Sequence, residues 1–279
     1  MAEPARKTPT REHRTPERRH EASGESVLLR WVEGPDGDVE LLELPLTPEL
    51  FLDPQVGDTM VQGQRHSATG REIANLLEHH FRPQPDVLVT YDLKHWLIPG
   101  QPAPAPDVSV IRGVRERDLD RSSFDVAEEG VSPCLMIEVV SPLDSRIREV
   151  DLDKKVRLYQ QARIPEYIIV DSLRGKGARR RYHLLGYRLG SAGRYRPIKP
   201  DSEGRVLSET TGLWFQISPE GDRVLVLEHP TGRRLLNLDE EGELRKAAEE
   251  RAEREAEARK EAEAEIARLR SELERLRGN

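Results

Sequence analysis

The chain has 279 residues, 34% of them charged and 5% aromatic, a formal net charge of −7 and a mean hydropathy of −0.69. That length accommodates one large domain or two small ones with a substantial core, and the acidic balance argues against a protein that simply coats nucleic acid. No apolar run approaches the roughly 20 residues of a membrane span, and no apolar stretch follows Met1 as in a secretory signal, so neither membrane insertion nor export is expected.

Residues 1–22 carry six basic and four acidic side chains, are punctuated by proline and lack a hydrophobic period, which predicts a disordered basic tail. The folded domain is expected over 23–238. It opens with strand-like runs at 26–32 and 38–44, joined by the turn-rich "EGPDG". In 63–81, Ile73, Leu76, Leu77 and Phe81 fall at helical spacing, and His66, His79 and His80 lie on or near that helix. Runs at 86–91, 107–111 and 134–140 are rich enough in β-branched and apolar residues for a central sheet. The span 112–133 is long and polar, the mark of a functional loop or of a small hidden element. Cys134, the single cysteine, falls inside a strand and reads as a small buried hydrophobe in a reducing cytoplasm.

Residues 148–164 have helical period through Leu152, Val156 and Tyr159, and 165–171 return as a strand. Strand, helix, strand predicts parallel neighbours joined by a right-handed crossover. The runs "RRYHLLGYRL", "GRYRPI", "GLWFQIS" and "RVLVLEH" then read as an antiparallel meander. The body is therefore α/β or α+β, built on a mixed sheet. Residues 239–279 form a charged C-terminal segment whose helix carries Ala262, Ile266, Leu269, Leu273 and Leu276 at heptad spacing. The same register upstream meets Arg259 and Glu255, so the seam spans about two heptads. A coiled coil that makes a homo-oligomer and a single solvated helix both remain open.

One carboxylate stands out. In "PCLMIEVVSP" (133–142), Glu138 sits in the middle of an apolar strand, where an unpaired ion costs several kcal/mol. Asp107 opens the preceding apolar strand, and neighbouring strands would bring the two acids to one end of the sheet. Two carboxylates about 4 Å apart repel by about 4 kcal/mol at an effective dielectric of 20. A divalent cation reverses that sign, and magnesium binds through one or two carboxylates with water and phosphate completing its shell. Asp151 and Lys155 lie four apart on the following helix, with Tyr159 one turn on, so they share a face. A lysine there could compensate Glu138 or act on phosphate. It could equally be an ordinary Asp–Lys helix pair.

Four stretches, "APDVSVI", "PCLMIEVVSP", "DLDKKVRLYQQARIPEYIIVD" and "GYRL…GRYRPI", together resemble the Uma-two family of endonucleases in the PD-(D/E)XK, restriction-enzyme-like superfamily. The likeness runs from about residue 50 to the end of the chain. It implies a restriction-endonuclease-like mixed sheet flanked by helices, metal ligands on adjacent strands, and Mg²⁺-dependent hydrolysis of DNA, with Mn²⁺ as the alternative ion. Asp107 and Glu138 match the motif's two acids and would hold the metal. The superfamily's usual lysine, two residues beyond the second acid, is replaced by Val140, and Lys155 matches a lysine relocated to the next helix. Asp107, Glu138 and Lys155 are thus the expected catalytic set, with Asp151, Tyr159 and His66 as further candidates. The basic strip "RGKGARRR" (174–181) reads as a phosphate contact or as a solvated hairpin loop. The expected function is a DNA endonuclease; a non-catalytic DNA- or protein-binding module on the same scaffold, or a phosphodiesterase acting on RNA, are the alternatives.

Overall fold

The computed structural model describes residues 26–35, 37–60, 64–140, 144–174 and 180–277; the expected tail over 1–22 and most of the basic strip at 174–181 lie outside them. The first elements are β1 (Val27–Glu33), β2 (Val39–Pro45), α1 (Pro48–Leu52), β3 (Thr59–Met60) and α2 (Gln64–Phe81). The β1–β2 hairpin and β3 form a small sheet in the order β2–β1–β3. Thr47 caps α1 by accepting the Leu50 N–H at 3.2 Å, and Pro48 follows in the first turn, where a missing N–H leaves no bond unmade.

The chain continues through β4 (Val87–Tyr91), β5 (Lys94–Trp96), β6 (Val108–Arg112), β7 (Ser123–Asp125), α3 (Val126–Glu129) and β8 (Pro133–Val140). After α4 (Ser145–Glu149), a π-helical turn (Val150–Lys154) and α5 (Lys155–Gln161) come β9 (Glu166–Arg174), β10 (Arg180–Leu189) and β11 (Tyr195–Pro197). The last elements are β12 (Val206–Ser208), β13 (Leu213–Ile217), β14 (Val224–Glu228) and α6 (Leu238–Arg277).

Six strands form the central sheet in the order β11–β10–β9–β8–β6–β4. Within this sheet β8 and β9 pair in parallel while the other described pairs are antiparallel, and the helical segment between β8 and β9 makes the crossover that the strand–helix–strand pattern predicts. Strand alternation sorts β8 into two faces. Leu135, Ile137 and Val139 pack beneath α2 and the small sheet β12–β13–β14, while Met136 and Val140 pack beneath α5 with Tyr159 and Tyr167. Glu138 shares the parity of Met136 and Val140, so it faces α5.

Three expectations need correction. The meander is split: β10 and β11 extend the central sheet, whereas β12–β14 form a separate sheet packed on it. Gly186 on β10 permits that approach, because a Cβ there would stand 2.8 Å from Val206 Cγ1 and 3.2 Å from Ile198 Cβ. The helix expected over 148–164 begins earlier, where Asp144 accepts the Arg146 N–H at 3.0 Å, and it is interrupted by the π-helical turn. Its buried side chains are Ile147, Val150, Asp151, Lys155, Leu158 and Tyr159, while Leu152 and Val156 are half-buried. Cys134 is half-buried rather than sealed, at the margin of the core. The polar span 112–133 does hide small elements: β7 pairs in parallel with β5, and Asp125 caps α3.

Candidate active site

The register places the two acids. Val108 pairs with Ile137 across β6 and β8, so one step beyond it Asp107 stands opposite Glu138. The Val139 N–H donates to Asp107 Oδ2 at 2.7 Å, and the Asp107 N–H reaches toward Glu138 Oε2 at 3.5 Å. Both carboxylates are buried.

α5 delivers the cation. Lys155 Nζ lies 2.8 Å from Glu138 Oε1 and 2.9 Å from Asp151 Oδ1, and it also stands 4.3 Å from the centre of the Phe51 ring. The Tyr159 hydroxyl donates to Glu138 Oε1 at 2.9 Å. In the π-helical turn the Lys155 N–H bonds five residues back to Val150, and the widened turn lets Val150 and Asp151 both face inward. Tyr167 steadies that turn by donating to the Asp151 carbonyl at 3.0 Å. Lys155 is therefore sealed, at 1% exposure.

α2 supplies a further group. His66 Nε2 lies 2.9 Å from Asp107 Oδ1; a carboxylate only accepts, so Nε2 carries the proton. Gly70, one turn on, lets the helix come this close: a Cβ there would meet Tyr91 Cε2 at 3.2 Å and Asp107 Cβ at 3.5 Å. All six candidates, Asp107, Glu138, Lys155, Asp151, Tyr159 and His66, thus converge on one centre. His79 and His80 do not; they lie near Glu241 and Glu228.

Acids outnumber cations in this centre. Three carboxylates share Lys155 and His66. Burial pushes the Glu138 carboxyl up to about 8, and Lys155 only partly opposes it. Burial also raises Asp151 against the pull of Lys155. Asp107 behaves oppositely: burial works against its charge, but His66 and the Val139 N–H hold it below the usual carboxylate range. Lys155 stays protonated, because Asp151 and Glu138 outweigh the cost of burying it.

A divalent cation fits this donor set on two grounds. Carboxylates outnumber cations in the cluster, so a bound metal can take the place of protons on its acids, and among the described residues Glu138 Oε2 accepts nothing stronger than the 3.5 Å contact. Among the described residues no three His, Cys, Asp or Glu side chains form a ready-made cage, so a cation would lean on two carboxylates and on ligands from solvent or substrate. Glu166 is an instructive contrast. It is buried too, but it accepts from Arg188 (2.7 Å), Ser208 (2.6 Å), the Thr210 hydroxyl (2.7 Å) and the Glu209 and Thr210 N–H groups, which ties β9 and β10 to the β12–β13 connection. That carboxylate is saturated and has no capacity left for a ligand.

Phe51 and Glu166 were not singled out from the sequence. Nothing in the local pattern of "PELFL" marks a ring that will cap an ammonium, and Glu166 follows a proline as an ordinary strand-opening residue.

Comparison with known proteins gives the family. Residues 40–220 match the family model described as "Uma2: Putative restriction endonuclease". The match begins somewhat earlier than the expected residue 50 and stops before α6. No curated protein matches the chain. Among solved structures, one described as "a putative nuclease belonging to DUF820 from Anabaena variabilis ATCC 29413" is 16% identical with a TM-score of 0.38, covering 55% of this chain and 79% of that one. With the family model spanning well over half of its length, this chain belongs to the Uma2 family.

Proposed function

We propose that this chain hydrolyses DNA phosphodiester bonds with a divalent cation, Mg²⁺ or alternatively Mn²⁺, held by Asp107 and Glu138. The observation that carries the reading is the juxtaposition of those two carboxylates across β6 and β8, with the Lys155 ammonium 2.8 Å from Glu138. When bound, the cation supplies Lewis-acid stabilisation of phosphate oxygens and acidifies the attacking water. The remaining roles belong to the chain itself. His66 orients Asp107, Tyr159 orients Glu138, and Asp151 holds Lys155 in place and keeps it charged. Lys155 offers a preorganised positive charge to the phosphate as negative charge builds on it. A half-buried single thiol suits a reducing cytoplasm.

A second reading has its own support. Lys155 and Glu138 are 1% and 2% exposed, so the centre is closed to a substrate in this conformation. That favours a non-catalytic scaffold whose ion cluster is structural. Incubating supercoiled plasmid, and separately a labelled RNA, with purified protein and Mg²⁺, Mn²⁺ or EDTA distinguishes the readings. Metal-dependent nicking or linearisation that EDTA abolishes is expected. Intact plasmid under every condition leaves the scaffold reading, and cleavage of RNA alone reassigns the substrate.

A further inference from the structure

α6 runs for 40 residues without burying one of them. Near its end Ile266, Leu269, Leu273 and Leu276 are 49, 47, 53 and 69% exposed, and they recur on one face with spacings of three and four. Such a stripe on an otherwise charged helix is the seam pattern of a coiled coil. In heptad terms Ile266 and Leu273 occupy a, and Ala262, Leu269 and Leu276 occupy d.

The residues flanking the seam choose the arrangement. The g positions are Glu265 and Glu272, and the e positions include Arg270 and Arg277. In a parallel two-stranded coil each g residue meets the partner's e residue of the following heptad. Glu265 then faces Arg270 and Glu272 faces Arg277, in both directions across the pair. An antiparallel pair sets g against g instead, where glutamate meets glutamate. Ile266 at a followed by Leu269 at d also favours two strands, while Leu273 at the second a position sets no such preference.

We propose that residues 262–277 form a parallel two-helix seam with a second copy of this chain. Arg259 at a and Glu255 at d interrupt the seam upstream, so pairing is confined to the last two heptads. Within its own helix Glu265 meets Arg268 at 2.8 Å, an exposed pair that a partner's arginine can share. Two heptads make a weak contact, and its charged flanks make that contact sensitive to salt. A parallel seam also puts both bodies at the same end of the assembly, joined through the polar half of α6. The inference stands whether or not the centre hydrolyses anything.

The test uses the full chain, in light scattering coupled to size-exclusion chromatography over a concentration series at low and high salt. The expected mass is twice the 31.8 kDa of one chain, falling toward one chain on dilution and at high salt. The double variants Glu265→Lys/Glu272→Lys and Arg270→Glu/Arg277→Glu should each self-associate at least about tenfold more weakly, and mixing them should restore the two-chain species. These side chains are exposed, so the body stays folded, which circular dichroism checks. Orientation is read from Leu276→Cys in a Cys134→Ala background: a parallel seam joins position 276 to its own counterpart under mild oxidation. A single-chain mass at every concentration overturns the proposal. So do charge variants that associate like the parent, or a two-chain particle that never forms the 276–276 disulfide.

Discussion

Lys155 Nζ lies 2.8 Å from Glu138 Oε1, and both side chains are sealed from solvent. The pair links the strand-borne acid to the helix that follows it. Lys154, its neighbour, points elsewhere: its side chain is exposed and lies 3.4 Å from Glu49. If Lys155 acts on phosphate, Lys155→Ala should lower the plasmid cleavage rate at least about 100-fold, and Lys154→Ala should change it little. Removing one partner of a buried ion pair also costs up to about 3–5 kcal/mol, so rates are compared at a temperature where circular dichroism shows both variants folded. Equal losses at the two positions would reduce the effect to a general basic surface.

Metal should register in stability independently of turnover. Saturating Mg²⁺ or Mn²⁺ at about 100 times its dissociation constant adds roughly 2.7 kcal/mol, or roughly 5–10 °C in melting temperature for a body of this size. Asp107→Asn and Glu138→Gln should both blunt that response. Glu138→Gln should leave the metal-free protein as stable as the parent or more so, because the amide oxygen can still accept from Lys155 and Tyr159, Lys155 keeps its pair with Asp151, and the Glu138 carboxyl, pushed up to about 8 by burial, carries little charge at neutral pH. A Glu138→Gln protein with the parent's full metal response removes Glu138 from the ligand set.

The sheet was legible because its strands are apolar runs bounded by turn residues, and the pairing of Asp107 with Glu138 followed once β6 and β8 were taken as neighbours. Lys155 and Asp151 were legible because four residues bring side chains onto one helix face. The π-helical turn was not, since a single widened turn leaves the periodicity of 148–164 almost unchanged. His66 was a further candidate among three histidines on or near one helix; its contact with Asp107 depends on the close approach that Gly70 allows, a long-range fact that no local pattern carries. The split of the expected meander rests likewise on the contact between Gly186 and Val206, residues on strands that never pair.

His95 gives the protein a pH dependence of definite sign. The ring is fully buried, bonded through Nδ1 to the Leu93 carbonyl at 2.6 Å and through Nε2 to Ser109 Oγ at 3.0 Å, and burial lowers its pKa from 6.5 to about 4. The folded chain therefore refuses a proton that the unfolded chain accepts. Its contribution is fully present above about pH 6.5 and is lost as pH falls toward 4, amounting to about 3 kcal/mol. Urea unfolding of the parent and His95→Gln at several pH values measures this, with the other titrating groups common to both. The parent should lose more stability than the variant between pH 7 and 4; parallel curves would mean that the ring protonates without penalty.

Gly186 carries the last prediction, which concerns the fold rather than the chemistry. Alanine usually improves on glycine in a strand, because glycine loses more freedom on folding. Here the added carbon would lie 2.8 Å from a methyl of Val206, which is itself fully buried between the two sheets. Neither strand can yield without disturbing the core formed by Leu184, Leu213 and Phe215. Gly186→Ala should therefore lower stability by about 1–3 kcal/mol, the usual cost of overpacking, seen as a lower urea midpoint with an unchanged slope. Adding Val206→Ala should recover part of that loss, since it removes the opposing methyls at the cost of a cavity. Below its melting transition the single variant should keep the parent's metal response, because β10 is separated from Glu138 by β9. A midpoint at or above the parent's would mean that the spacing of the two sheets is not set at this contact.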